Sequence, residues 1–212
     1  MSPIDNFMGF FKGMRFLGTQ GTQSQLRASE LSAELRDLLL RGLQNKAFDR
    51  DNIDGLIGEL TRVGRGSKVD ALIFSSGPWQ AVYSKNSQPL WEKQAKFLPV
   101  FKNRAWQEYD LAAGTVVNVG QILGEAVFIS VEGAVSEQSV SDTTPKYYTA
   151  DIQRGALNAF GLRFPLPIKG KGVAKLLYQD SNLRIFESPK ESESEWEQEG
   201  LIVVQMPLNS VP

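Results

Sequence analysis

From Leu72 onward the three-to-four spacing of the apolar residues in this 212-residue chain gives way, and a period of two appears in a series of short segments. Strict alternation sends successive side chains to opposite faces of an extended strand. It is clearest from Glu125 to Gln138, where Val127, Ile129, Val131 and Val135 alternate with Phe128, Ser130, Glu132 and Ala134. The other strand segments are Trp79 to Ser84, Ala105 to Leu111, Thr115 to Ile122, Lys146 to Leu157, Gly172 to Tyr178, Leu183 to Glu187 and Leu201 to Met206. Gly114 and Gly124 lie in short turns between neighbours, so antiparallel hairpins are expected there. About eight strands suffice to close around one small ligand. Closure also removes the apolar edges through which an open sheet would aggregate. The expected fold is mainly β, an antiparallel β-barrel over residues 71–212 preceded by two to three N-terminal α-helices.

The leader is read as two parts, an amphipathic segment with its linker over 1–23 and a helical unit over 24–70. In the helical unit Leu31, Leu35, Leu38, Leu39 and Leu43 repeat at helical spacing, with Gly42 and Asn45 marking the end. A second helix carries Ile53, Leu56, Ile57, Leu60 and Val63; Asp49 or Asp51 can cap it and Gly64 supplies a left-handed stop. Helices this short are not stable alone and must bury their stripes on the strands downstream.

At the extreme N-terminus Phe7, Phe10, Phe11, Met14 and Leu17 share one side of a helix, with Asp5, Lys12 and Arg15 opposite. Such a stripe suits a membrane surface or a partner's groove, and equally a helix lying on its own domain. Gly9, Gly13 and Gly18 interrupt it, and Thr19 to Ser24 reads as a polar linker. The segment does not read as a secretory or transit peptide. No apolar run reaches the roughly 18 residues of a membrane span, so the expectation is a soluble or peripheral protein.

Composition removes most catalytic chemistry. The chain has no Cys and no His, so disulfides, thiolate nucleophiles, Ser–His–Asp hydrolysis and ordinary zinc sites are excluded. With 23 basic and 24 acidic residues there is no overall field to hold a nucleic-acid backbone. Asp110, Glu125, Glu132, Asp151 and Asp180 could offer a carboxylate pair, but nothing in the sequence brings two of them to a glycosidase separation. The balance favours a binding protein without a metal.

Two loops stand out. Phe160 to Gly172 carries Pro165, Pro167 and three basic residues, Arg163, Lys169 and Lys171; the prolines argue against a regular strand. It reads as a surface crossover or as a lid meeting lipid with its Phe and Leu residues. Glu187 to Glu199 holds six Glu and one Lys around Trp196, an acidic insertion that reads as a solvated loop.

If the first and last strands meet at a seam, Arg184 can lie across the indole of Trp79, a cation–π contact of about 0.5–2 kcal/mol. The helical leader, the Gly77-Pro78-Trp79 entry with Tyr83-Ser84, and the late Tyr178-Gln179-Asp180 with Leu183-Arg184-Ile185 resemble the plastid lipid-associated protein family, the fibrillins. The resemblance covers about residues 31–206 and is strongest at its ends. Gly64-Arg65-Gly66-Ser67 departs from the Asn-Pro-Thr-Pro-like link usual in the family, and Phe186-Glu187 from its Arg-Gly.

The resemblance implies a lipocalin-like fold and a non-catalytic role, binding or organising carotenoids, quinones or acyl lipids. It implies peripheral association with thylakoids or plastoglobules, in a plastid or on a cyanobacterial thylakoid. Trp79, Asp180 and Arg184 would close the barrel, and Trp79, Tyr83, Trp106, Phe128, Tyr148 and Phe164 are the aromatic candidates for its lumen, as core or as ligand contacts. The alternative is a structural subunit docking on a photosynthetic protein complex, with its barrel too full of side chains to hold a ligand.

Overall fold

The computed structural model describes residues 3–86, 103–138, 141–189 and 200–212, with side chains from residue 22 onward. The stripe Phe7, Phe10, Phe11, Met14 and Leu17, and Trp196 with most of the acidic insertion, therefore lie outside the described side chains.

Helix α1 runs without a break from Pro3 to Asn45, about 64 Å at the usual rise per residue. The expected linker Thr19 to Ser24 is helical. Once a helix is nucleated each further residue adds a hydrogen bond, which carries a polar stretch of modest propensity. Leu31, Leu35 and Leu39 are fully buried. Helix α2 spans Arg50–Val63 and is capped by Asp49, whose side chain accepts from the Asn52 amide. It buries Ile53, Leu56, Ile57 and Leu60. Gly64 is not left-handed (φ −77°). Its hydrogen is required for space instead, since a Cβ there would come 2.6 Å from the Tyr178 ring. A third, short helix, α3 (Ala71–Phe74), is capped by Asp70 through the Leu72 and Ile73 amides.

Nine strands follow: β1 Trp79–Lys85, β2 Ala105–Asp110, β3 Thr115–Gln121, β4 Val127–Glu137, β5 Lys146–Ala159, β6 Leu162–Leu166, β7 Gly170–Gln179, β8 Arg184–Glu187 and β9 Ile202–Pro207. All pair antiparallel in the order β4-β3-β2-β1-β9-β8-β7-β5-β6, and β4 also pairs with β5. That last pairing closes eight of the strands into a ring. The remaining strand, β6, is attached beyond it. Residues Lys146 to Ile152 of β5 pair with β7, whereas Gly155 to Ala159 pair with β6. The segment expected to be irregular thus contains a strand. Pro165 is tolerated because β6 is an edge, where a missing amide leaves no ladder bond unmade.

The ring has an apolar cluster on each side of its wall. Outside, α1 and α2 pack on Val82, Tyr83, Tyr178, Leu183, Ile185, Val204 and Met206. Inside, Phe74, Tyr109, Val116, Tyr148, Ile152, Leu176 and Phe186 form a second cluster. Gly133 makes the tight β4–β5 closure possible. It follows a register shift, and a Cβ there would lie 2.0 Å from the Asp151 carbonyl oxygen.

Asp180 fastens helix to ring. Its carboxylate accepts from Ser32 Oγ at 2.5 Å, Tyr178 Oη at 2.8 Å and the Asn182 and Leu183 amides at 2.7 Å. The residue thus shapes the β7–β8 turn and holds α1, without touching Arg184.

Candidate functional site: the interior of the ring

Register fixes which side chains point inward. β1 pairs with β9, and β9 with β8, so the strand-region beginning and end are neighbours. Trp79 and Arg184, both essentially without solvent exposure, meet across β9. The guanidinium carbon lies 4.8 Å from the indole centre and 5.3–5.4 Å from the rings of Phe74, Tyr109 and Phe186. Arg184 Nε donates to Gln205 Oε1 at 2.5 Å, Nη1 to the Phe74 carbonyl and Nη2 to the Gln107 carbonyl, both at 3.2 Å. Charge is therefore compensated by ring faces and carbonyl oxygens. Burial pulls the guanidinium down to about 9, still above neutrality, so the cation persists at pH 7.

Helix α3 delivers Phe74, stacked on Tyr148 at 4.5 Å and tilted against Tyr109 at 4.8 Å. Burial raises the phenol of Tyr109 to about 12 and raises that of Tyr148 further. The Tyr148 hydroxyl is buried with no hydrogen-bond partner. Roughly one end of the ring is thus filled by side chains.

Beyond this cluster a partly open chamber of about 180 Å³ remains. Part of its wall is Ala150, Gly172 and Ala174, whose small side chains leave the space, and its polar side chains include Gln107, Asn118, Ser188 and Gln205. Asn118 Oδ1 is buried without a partner, an unmet acceptor on the wall of an otherwise largely apolar space. A preformed site of this kind holds an apolar group by burial and orients it through a few polar contacts. An apolar cavity of about 150 Å³ already accepts benzene, so this chamber has room for a ring or a chain end, not a whole carotenoid.

The sequence candidates fall on both sides of the wall. Trp79 and Tyr148 point inward. Tyr83 does not, because a bulge between Ala81 and Tyr83 reverses the alternation. It packs under α2, edge-on to Phe48 at 5.6 Å, with its hydroxyl donating to Asp54 at 2.8 Å; burial first and this acceptor second raise it to about 12. Trp106 pairs with Gln80, which pairs with the outward Met206, so the indole faces outward too. Phe128 alternates with inward Val131 through Ile129 and pairs with Asn158, on the outer face beside Ser130. Phe164 lies on β6, beyond the ring, and is 47 % exposed. Phe74, Tyr109, Phe186, Gln107, Gln205 and the small residues of the chamber wall were not singled out from sequence. Alternation within Gln107-Glu108-Tyr109 and Gly172-Val173-Ala174 was the available signal.

Of the carboxylates, Glu132 is taken by Arg154 and Arg163, Asp110 accepts from the Ala113 amide, and Asp180 holds its turn. Among the described residues no group of three or more acidic side chains could hold a metal ion, and no described helix is long and apolar enough to cross a membrane. No family model, curated protein or solved structure matches the chain.

Proposed function

We propose that this chain is a non-catalytic, fibrillin-like protein whose ring is a lipocalin-like barrel, and that it binds hydrophobic molecules such as quinones, carotenoids or acyl lipids at thylakoid or plastoglobule surfaces. The observation that carries the reading is the chamber beside the Arg184 cluster, with its wall of Ala150, Gly172 and Ala174 and an unpaired acceptor on Asn118. At about 180 Å³ it engages one end of such a molecule, the remainder lying outside the ring. A ring bearing a hydroxyl fits better than plain hydrocarbon, because it would satisfy Asn118 while burying apolar area worth about 25 cal/mol per Å². The reading needs no cofactor, nucleic acid or metal. Mass spectrometry of small molecules that co-purify in gentle detergent tests it: an amphiphile at near-stoichiometric amount supports the reading, and its absence from protein made in a photosynthetic host sinks it.

A second reading is favoured by the filled end of the interior and by the length of α1. There the protein is a structural subunit docking on a photosynthetic complex with no ligand in its ring. Among the described side chains of α1, those from Thr22 to Arg27 are all exposed and Ala28 is the first buried one. Extraction yielding no small molecule, together with retention on such a complex, would select this reading.

A further inference from the structure

The chamber leaves most of an amphiphile unhoused. About 180 Å³ takes a ring or a chain end, and the Arg184 cluster fills the interior on its other side. The rest of the molecule must pass out along the inner face. Towards β5 that way is closed: the row that holds Asn118 and Val131 continues to Gly155, and a Cβ on Gly155 would lie 2.8 Å from Ile168. Along β3 it is open. Gly120 stands two residues beyond Asn118 on the same face, and a Cβ there would meet nothing within 4 Å.

From Gly120 the register carries the inner face out of the ring. Gly120 pairs with Ile129, Ile129 with Leu157, and Leu157 with Phe164. The row beside it is Val127, Ala159 and Leu162. β5 has here exchanged β7 for β6 as its partner, so the two rows form an open wall, about 14 Å across at the usual strand spacing. Ile129 and Leu157 are partly exposed, Phe164 is 47 % and Leu162 63 % exposed. No side chain on either row is ionisable or able to hydrogen-bond. Such a strip cannot recognise a headgroup, and it matches hydrocarbon.

We propose that this strip seats the tail of the ligand: a single alkyl or prenyl chain leaves the chamber over Gly120 and lies on Ile129, Leu157 and Phe164, while its hydroxyl-bearing head stays at Asn118. The proposal rests on the chamber reading above and adds to it the route and the chain. Affinity should therefore grow with chain length.

The test is calorimetric titration of the chain with para-ethylphenol and para-octylphenol, which share a hydroxylated ring and differ in the tail. A fully buried methylene is worth about fourfold in affinity and one on an open wall about twofold, so the octyl compound should bind wild type about fiftyfold more tightly. Gly120→Glu places a carboxylate on the route, in space the strand leaves free; it should bind ethylphenol as wild type does and lose most of the octyl gain. Leu157→Asn, further along the wall, should lose part of that gain, and it carries the test if Gly120→Glu fails to fold by circular dichroism. Leu72→Asn, at an 84 % exposed position on α3, should match wild type with both phenols. Equal affinity of wild type for the two phenols, or an octyl gain that survives in the folded wall variants, would overturn the tail seat and leave the chamber standing. No binding of either phenol would strike at the chamber itself and overturn this proposal with it. A wild-type dimer in sedimentation that Leu157→Asn dissolves would give the strip to a second copy of the chain and overturn the proposal as well.

Discussion

The Arg184 guanidinium lies 4.8 Å from the centre of the Trp79 indole, joining β1 to β8 across β9. The β1–β9 ladder joins the start of the strand region to its end, the contact adds β8 to that seam, and three more aromatic rings complete the cage around the guanidinium. Trp79→Ala should cost about 3–5 kcal/mol as a large core truncation. Arg184→Ala should cost about 2–4 kcal/mol, because three acceptors lose their donor in a dry site. The pair should be non-additive by about 1 kcal/mol or more in urea denaturation. Additive losses would mean the contact contributes nothing beyond the volume of its two partners.

Closure of the ring depends on Gly133. Its Cβ position falls 2.0 Å from a backbone oxygen of β5, whereas a Cβ on Gly120 meets nothing within 4 Å. Gly133→Ala should lower the urea midpoint strongly, by about 2 kcal/mol or more in stability, and Gly120→Ala should stay within about 0.5 kcal/mol of wild type. Equal effects would contradict the β4–β5 register.

Those two cases show where sequence reading succeeds and where it stops. Period-two alternation in Val127 to Val135 located β4, and helical spacing in Ile53 to Leu60 located α2, because each depends only on residues near in sequence. Strict alternation from Trp79 places Tyr83 in the interior. A single bulged residue reversed that parity, and a bulge is set by the twist the partner strand demands rather than by local composition. Phe74 is not legible because α3 has only four residues, too few to display a period. Pro165 suggested a loop, and only the tertiary fact that β6 has one neighbour makes it a strand. The Trp79–Arg184 contact is legible as a possibility from the two motifs, and Phe186 lies two residues from Arg184 on the same strand, whereas Phe74 comes from α3 and Tyr109 from β2, elements that the sequence alone does not bring to β8.

Alkaline pH should expose the interior. Burial holds Tyr83 and Tyr109 at about 12 against 10 in the unfolded chain, and raises Tyr148 and Tyr178 as well. A raised phenol binds its proton more tightly when folded, so its stabilisation is intact below pH 10 and disappears as pH climbs through 12. Arg184 acts oppositely: its burial is unfavourable at pH below about 9 and becomes less so above. With four phenols against one guanidinium, the urea midpoint should fall from pH 10 upward, and phenolate absorbance should appear together with loss of strand dichroism. Most of the five tyrosines titrating near pH 10 in protein that stays folded would contradict the burial described.

The central claim is that the chamber walled by Ala150, Gly172 and Ala174 receives one end of a hydrophobic molecule. It is tested most directly by calorimetric titration of detergent-solubilised prenylquinone, carotenoid and fatty acid into wild type and Ala174→Phe, with folding of both checked by circular dichroism. The account predicts that at least one ligand binds wild type once per chain and fails to bind folded Ala174→Phe, whose ring occupies the space. Equal binding to both proteins, or binding to neither, would contradict it.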